Sequence, residues 1–140
     1  MRLHINLNVE NLNKSVRFYS DLFAARPTVL KDDYAKWMLE DPKVNFAIST
    51  LRPVAGTDHF GIQVDSEDEL RAVHARLKSA ELPMSEEGKV ACCYARSDKA
   101  WIFDPDGNAW ESFYTFGDSP VYGEETVLDT MRNAAGPQNS

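Results

Sequence analysis

The chain has 140 residues, a formal net charge of −7 and a hydrophobic content of 43%. This hydrophobic content can build a core, which excludes wholesale disorder. The acidic charge argues against a nucleic-acid-binding protein, because an acidic surface repels phosphate. The sequence contains neither an apolar run of membrane-spanning length nor a charged-then-apolar leader, so we expect a cytoplasmic protein without membrane contacts.

The first half of the chain is predicted to form one strand, one helix and three further strands. Residues 2–9 alternate apolar and polar side chains, which predicts a strand with an aliphatic face and a face carrying His4, Asn6 and Asn8. Asn11 is suited to cap the helix that follows, NLNKSVRFYSDLF. The strand-like segments PTVLK, YAKWMLE and VNFAIST come next, with turns at DDY and EDPK between them. The apolar residues of the helix recur at helical spacing and are Leu12, Val16, Tyr19 and Phe23.

The same order of elements restarts near Thr57. DHFGIQV, residues 58–64, predicts a strand, and SEDELRAVHARLKSA predicts a helix that opens with a capping box of Ser66 and Glu69. Three more strands are predicted at KVACCYA, KAWIF and AWESFYTF. DPDGN, residues 104–108, predicts the tight turn before the last of them.

This order predicts an α+β fold with one domain over residues 1–116, made of two βαβββ modules at residues 1–53 and 57–116. The modules would pair within one chain or swap between two, in a monomer or a homodimer. Residues 117–140 lack the periodic pattern of strands and helices, and we expect a tail with one short helix over 124–133. This tail would be a lid, an interface arm or partly disordered.

Three residues on different strands suggest a metal site. His4 and His59 each stand in the strand that opens a module, on the face opposite the aliphatic row, and Glu111 lies among aromatic residues in the last strand. Two histidines and one carboxylate suit a facial site for non-haem Fe(II) first, and then for Mn(II), Ni(II) or Zn(II). Scattered histidines are common, so the residue types alone leave ordinary structural roles open. The third histidine, His74, is predicted to be structural or solvated.

The only two cysteines, Cys92 and Cys93, are adjacent. Neighbouring Cα atoms lie about 3.8 Å apart, which is shorter than the roughly 4.4 Å minimum of a relaxed disulfide. We therefore expect a reduced dithiol. Two thiols on one segment can hold one soft centre, or they can simply be two small buried side chains.

Two segments resemble the vicinal oxygen chelate superfamily, which includes glyoxalases, bleomycin- and fosfomycin-resistance proteins and extradiol dioxygenases. FDPDGNAWESF, residues 103–113, is similar to its closing strand–turn–strand, and VRFYSDLF, residues 16–23, to its first helix. The resemblance implies paired βαβββ modules that form a cup, a half-barrel sheet, around one metal ion. The ligands it implies are His4, His59 and Glu111.

Within that superfamily, YAKWML, VNFAIS and CCYARSDKAW resemble the organoarsenical carbon–arsenic lyases, which are often named cadmium-induced proteins. Members are non-haem Fe(II)- and O2-dependent enzymes that cleave the C–As bond of trivalent methyl- and aryl-arsenicals, release arsenite and confer resistance. The resemblance implies Fe(II) as the cofactor, at a site that Ni, Mn, Co or Zn can also fill. It also implies that Cys92 and Cys93 capture the arsenic.

The adjacent cysteines then have a chemical reason. Trivalent organoarsenic carries one carbon substituent and two exchangeable ligands, which two thiols can replace while the As–C bond stays intact. Neighbouring side chains of an extended strand point to opposite faces. We therefore expect residues 91–94 to form a loop or bulge instead of regular sheet.

Three rival functions remain. A glyoxalase or thiol-transferring enzyme of the same fold would normally use a fourth ligand near residues 45–49, where the sequence offers no His, Glu or Gln. A non-catalytic protein could sequester soft metals or arsenicals, and a metal-free scaffold could bury both thiols. Other residues could also serve the cup. Ligands or oxygen could be oriented by Asn8, Tyr34, Gln63 and Tyr94, and an anionic substituent could be attracted by Arg96 and Lys99. The wall of the pocket could be formed by Trp37, Trp101 and Trp110.

Overall fold

The βαβββ order occurs twice, as predicted. The computed structural model describes residues 1–92 and 95–118, with the side chains of residues 1–86 and 97–117. Gly117 and Asp118, which the sequence assigned to the tail, end the last strand, and the rest of the predicted tail with its helix over 124–133 lies outside the described residues. The elements are β1 Arg2–Asn8, α1 Leu12–Phe23, β2 Val29–Leu30, β3 Tyr34–Glu40, β4 Lys43–Ser49, β5 Gly56–Gln63, α2 Glu67–Ser79, β6 Ser85–Cys92, β7 Ala95–Phe103 and β8 Ala109–Asp118.

The chain divides into two compact units, Met1–Gln63 and a second that begins at Val64. In the first unit the strand order is β2-β3-β4-β1-β5, with β1 parallel to β4 and antiparallel to β5. The strand β5 opens the second sequence repeat, yet it packs in the first unit. The two histidine-bearing strands β1 and β5 are therefore direct neighbours.

The helix α1 covers the aliphatic side of the first sheet. The Asn11 side chain accepts a hydrogen bond from Lys14 N at 3.0 Å, which caps the helix as predicted. Tyr19 and Phe23 pack with Phe46, at ring-centroid distances of 4.6 and 5.1 Å. The predicted apolar stripe of this helix thus packs on the core of the unit, in which Leu12 is buried.

The second unit contains α2 and the antiparallel strands β8, β7 and β6. Ser66 Oγ accepts a hydrogen bond from Glu69 N at 3.1 Å, but Glu69 Oε2 accepts from Asp65 N instead of Ser66 N. The second hydrogen bond of the predicted capping box is therefore made to the backbone N–H of the residue before the N-cap. In the DPDGN turn, Asp104 Oδ1 accepts hydrogen bonds from Asp106 N and Asn108 N. No described helix is long and apolar enough to cross a membrane.

The two strands around the cysteines are longer than the sequence pattern indicates. The strand β6 begins at Ser85 and β7 at Ala95, and their pairing continues to Cys92 opposite Ala95. The expectation of an irregular backbone is therefore wrong for Ala91 and Cys92, which belong to the regular ladder. Residues 93 and 94 lie outside the described residues.

Candidate metal centre

The polar face of β1 is its more deeply buried face. His4, Asn6 and Asn8 are 5%, 2% and 4% exposed, whereas Leu3 on the other face is 41% exposed. A row of polar side chains stays buried only where those side chains find partners. This buried row of polar side chains is therefore the candidate binding site of the first unit.

His4 and His59 meet on that face. Their Nε2 atoms lie 3.1 Å apart and their ring centroids 5.1 Å apart. The two residues belong to neighbouring strands, because His59 on β5 stands opposite Asn6 and Gly61 stands opposite His4. The structure thus brings together the two histidines that the sequence analysis selected.

The second nitrogen of each ring has an acceptor, which decides the tautomer. His4 Nδ1 lies 3.0 Å from the backbone carbonyl oxygen of Asn45, and His59 Nδ1 lies 2.7 Å from Asp58 Oδ2. A carbonyl and a carboxylate accept hydrogen bonds, so both Nδ1 atoms carry a proton and donate it. In the neutral rings, the lone pairs of both Nε2 atoms therefore converge.

Converging lone pairs require a cation between the rings, either a proton or a metal ion. Two ligand nitrogens about 2.1 Å from one ion and at right angles to each other are separated by about 3.0 Å. The observed Nε2–Nε2 distance of 3.1 Å fits adjacent positions of one ion. An imidazole whose Nδ1–H donates to a carboxylate or a carbonyl is also the usual arrangement of a metal-ligating histidine.

A buried amide oxygen lies on the strand next to His4. Asn45 stands opposite His4 in the parallel β1–β4 ladder and is 4% exposed. Its Nδ2 donates to Gln63 Oε1 at 2.9 Å, while its Oδ1 has no hydrogen-bond partner among the described residues. A buried polar atom of this kind calls for a water molecule or a ligand group. The donor set of the first unit thus fits a metal centre with a bound solvent or ligand molecule.

Glu111 lies in the second unit, on β8, and it has a cationic neighbour. Lys99 Nζ on β7 donates to Glu111 Oε2 at 3.2 Å, and both side chains are 5% exposed. Lys99, a candidate for attracting an anionic substituent, is thus buried against a carboxylate of the chain itself. The apolar pattern does not predict this pair, because it depends on the hairpin register, which places Glu111 opposite Trp101, two residues from Lys99.

Other candidate cup residues have structural partners. Asn8 Nδ2 donates to the carbonyl oxygens of Arg52 and Val54, and its Oδ1 accepts from Arg52 N, so this amide holds the backbone of residues 52–54. Trp37 belongs to the core of the first unit and donates its Nε1–H to the carbonyl oxygen of Ala25. Of the other aromatic candidates, Tyr34 in the first unit and Trp101 in the second are also buried.

The thiol groups are not among the described side chains. The backbone of Cys92 ends β6, its side chain is not among those described, and Cys93 and Tyr94 lie in the gap between β6 and β7. The side chain of Arg96 is likewise not described. Capture of arsenic by the cysteine pair therefore stays a prediction.

The third histidine has a structural role, as predicted. His74 Nε2 on α2 lies 3.0 Å from Ser112 Oγ on β8. Burial lowers the pKa of His74 below its ordinary value of 6.5, although Glu86 and Asp98 oppose the shift. This histidine joins the helix to the sheet of the second unit.

Residues 2–112 match the family described as the Glyoxalase/Bleomycin resistance protein/Dioxygenase superfamily. The chain belongs to this superfamily. The resemblance found in the FDPDGNAWESF segment is therefore confirmed, and with it the fold class of paired βαβββ modules.

Three relatives of this superfamily member carry informative names. A trivalent organoarsenical cleaving enzyme of Bacillus sp. (strain MD1) is 50% identical over 115 residues, which cover 80% of this chain and 71% of that protein. A probable trivalent organoarsenical cleaving enzyme of Bacillus subtilis (strain 168) is 42% identical, with 89% and 86% covered. The cadmium-induced protein CadI of Mycobacterium bovis is 35% identical, with 87% and 81% covered.

Solved structures agree with the fold. An extradiol ring-cleaving dioxygenase from B. fuscum superposes with a TM-score of 0.63 at 17% identity, covering 84% of this chain and 33% of the dioxygenase. A Mn(II)-bound glyoxalase from Novosphingobium aromaticivorans superposes with a TM-score of 0.60 at 16% identity, with 90% and 42% covered. At these identities the likeness establishes the superfamily fold alone.

Proposed function

We propose that this chain is an Fe(II)- and O2-dependent carbon–arsenic lyase that converts trivalent organoarsenicals to arsenite in the cytoplasm. His4, His59 and Glu111 hold the metal, and Cys92 and Cys93 bind the arsenic. The names of the relatives at 42–50% identity support the substrate class. The single structural observation that carries the proposal is the convergence of the two histidine Nε2 atoms at 3.1 Å.

Glu111 is proposed as the third ligand because it completes a chemically consistent set. Two neutral imidazoles and one carboxylate form the facial arrangement typical of non-haem Fe(II) oxygenases, which leaves other positions for small molecules. Glu111 is 5% exposed, and a buried carboxylate is costly unless cationic groups surround it. Lys99 is one such group, and the metal ion would be the second.

The bound Fe(II) would supply open coordination positions and reducing electrons for O2. The chain's own residues hold the substrate in place. The thiolates of Cys92 and Cys93 replace the two exchangeable ligands of the arsenical, so that the substrate stays attached through sulfur while the As–C bond remains intact. Holding both reactants in one place removes most of the entropic cost of their encounter.

The experiment that tests the function is direct. Reduced protein loaded with Fe(II) is given methylarsenite with and without O2, and inorganic arsenite is measured over time. Oxygen-dependent release beyond one equivalent per chain is expected. Binding of one equivalent without arsenite release would reject the lyase and leave a sequestering protein.

Two variants test the proposed metal centre. His59→Ala is expected to abolish both metal binding and arsenite release. Its matched control is His74→Ala, which removes a histidine on α2 that bonds Ser112 outside the proposed centre. If His59→Ala and His74→Ala bind Fe(II) equally well, the proposed centre is wrong. Turnover of a methylglyoxal–thiol adduct in place of methylarsenite would reassign the chain to glyoxalase chemistry.

A further inference from the structure

We propose that Asp58 is a positioning residue of the metal centre, which fixes the tautomer and orientation of the His59 ring and is itself held by Arg52. The inference rests on the proposed metal centre. It concerns a carboxylate to which the sequence pattern assigns no role. All residues involved lie in the first unit.

The contact between Asp58 and His59 is short and well shielded. His59 Nδ1 donates to Asp58 Oδ2 at 2.7 Å, and the two side chains are 6% and 13% exposed. Charge-assisted hydrogen bonds of this length are the stronger kind. An anionic acceptor on Nδ1 orients the ring and makes Nε2 a better metal donor.

A bulge in β5 makes this contact between adjacent residues feasible. His59 stands opposite Asn6 and Thr57 stands opposite Leu7, so Asp58 is an extra residue between two consecutive pairs of the ladder. In a regular strand the side chains of residues 58 and 59 would point to opposite faces. Bulges redirect a side chain in this way and are frequent beside active sites.

The other carboxylate oxygen of Asp58 is held as well. Arg52 Nε lies 3.4 Å from Asp58 Oδ1, with the Arg52 side chain 40% exposed. Asn8 makes three hydrogen bonds to the backbone of residues 52–54, which positions Arg52. Asn8 is 4% exposed and belongs to the same polar row as His4. A continuous set of contacts therefore runs from the loop after β4 to the ring of His59.

The two histidines are thus supported differently. His4 donates to a backbone carbonyl, which is neutral and the same for any side chain at position 45. His59 donates to the anionic side chain of Asp58. Of the two hydrogen bonds, only this one can be altered by substituting the residue that accepts it. We expect His59 to be the stronger metal donor of the pair.

The test compares Asp58→Asn with Asp68→Asn, a matched change at an exposed aspartate on α2 that pairs with Arg71. The probe is Co(II) alone, with its affinity measured by competition with a chelating dye and its coordination by visible absorption. Asp58→Asn is expected to weaken Co(II) binding about 10- to 100-fold, and Asp68→Asn to leave it unchanged. Arg52→Met is expected to weaken it by a smaller factor, because that contact is longer and more exposed.

A second measurement separates positioning from a general effect on folding. The nitrogen NMR shifts of the metal-free protein report which ring nitrogen of His59 carries the proton. Nδ1–H is expected in the wild type, and a mixture with Nε2–H in Asp58→Ala. Wild-type Co(II) affinity in Asp58→Asn together with an unchanged tautomer in Asp58→Ala would overturn the inference.

The proposed metal centre is tested independently in the same assay. If His59→Ala binds Co(II) as tightly as the wild type, the centre itself fails. If His59→Ala loses binding while Asp58→Asn and Arg52→Met keep it, the centre stands and only the role of Asp58 is wrong. Should Asp58→Asn not fold, Arg52→Met decides in its place, because Arg52 is at the surface.

Discussion

Lys99 donates a hydrogen bond to Glu111 across the β7–β8 hairpin, at 3.2 Å between Nζ and Oε2, with both side chains 5% exposed. The ammonium group also lies 5.9 Å from the ring centroids of Trp101 and Phe113. A buried ion pair is costly to break from one side, because the remaining charge stays in a poorly polarisable environment. The carboxylate proposed as a metal ligand therefore has a protein cation beside it before any metal binds.

Replacing Lys99 tests that pair. Lys99→Met keeps the length of the side chain but removes the charge, and it is expected to lower the free energy of unfolding of the metal-free protein by about 3 kcal/mol. Urea denaturation measures this. Added Co(II) is expected to recover part of the loss, because the ion supplies the missing positive charge.

The control for this change is Lys78→Met, which breaks the exposed Lys78–Glu86 pair. Exposed pairs contribute little to stability, so this variant is expected to unfold as the wild type does. Equal stability of Lys99→Met and Lys78→Met would mean that the buried pair contributes nothing.

Glu111→Gln tests the third ligand. The amide keeps the shape of the carboxylate but is a weaker ligand, so Co(II) affinity is expected to fall at least about 10-fold and arsenite release to stop. Arsenical binding by the thiols is expected to persist. Glu67→Gln on the exposed side of α2 is the matched control, and full activity of Glu111→Gln would exclude Glu111 as a ligand.

Cys92→Ser and Cys93→Ser test the capture of arsenic. Methylarsenite is expected to protect both thiols of the wild type from a thiol-titrating reagent, because chelation uses two sulfur atoms. In either variant the remaining thiol is expected to stay reactive, while Co(II) binds with wild-type affinity. Protection of the single thiol at the same arsenical concentration would contradict the dithiol interpretation.

His74 is expected to make stability fall as the pH falls. Its pKa in the folded protein is lowered from 6.5, chiefly by burial. Below pH 6.5 the unfolded chain therefore binds a proton that the folded protein resists, which favours unfolding until the lowered folded-state pKa is passed. His74→Gln is expected to reduce this dependence, measured as the difference between the unfolding curves of the two proteins. If the stabilities of the two proteins depended on pH in the same way, His74 would not contribute to the pH dependence.

The element order and the histidine pair were predictable from the sequence, for different reasons. Alternating and helical patterns locate strands and helices without any long-range information, as in β1 and α1. His4 and His59 were found because each stands on the polar face of a strand that opens a repeat. Alternation alone does not tell which face of a strand is the more buried one. In β1 the polar face is more buried than the aliphatic face.

The supporting residues were harder to predict because they depend on register. Lys99 reaches Glu111 diagonally, and this neighbour relation exists only once the hairpin pairs Trp101 with Glu111. Asp58 was overlooked because neighbouring residues of a strand normally face apart, and a one-residue bulge leaves no mark in the apolar pattern. Asn8 was named as a candidate, but its loop partners lie 44 and 46 positions away in the chain.

The bulge at Asp58 also bears on how this strand could change over evolutionary time. Because Asp58 is the extra residue between two consecutive pairs, its deletion would restore a continuous ladder in which His59 still stands opposite Asn6. A shortened β5 would therefore keep the histidine and lose the carboxylate in a single mutational event. Length variation at this one position would thus let natural selection adjust the strength of the proposed metal ligand His59 without rebuilding the sheet.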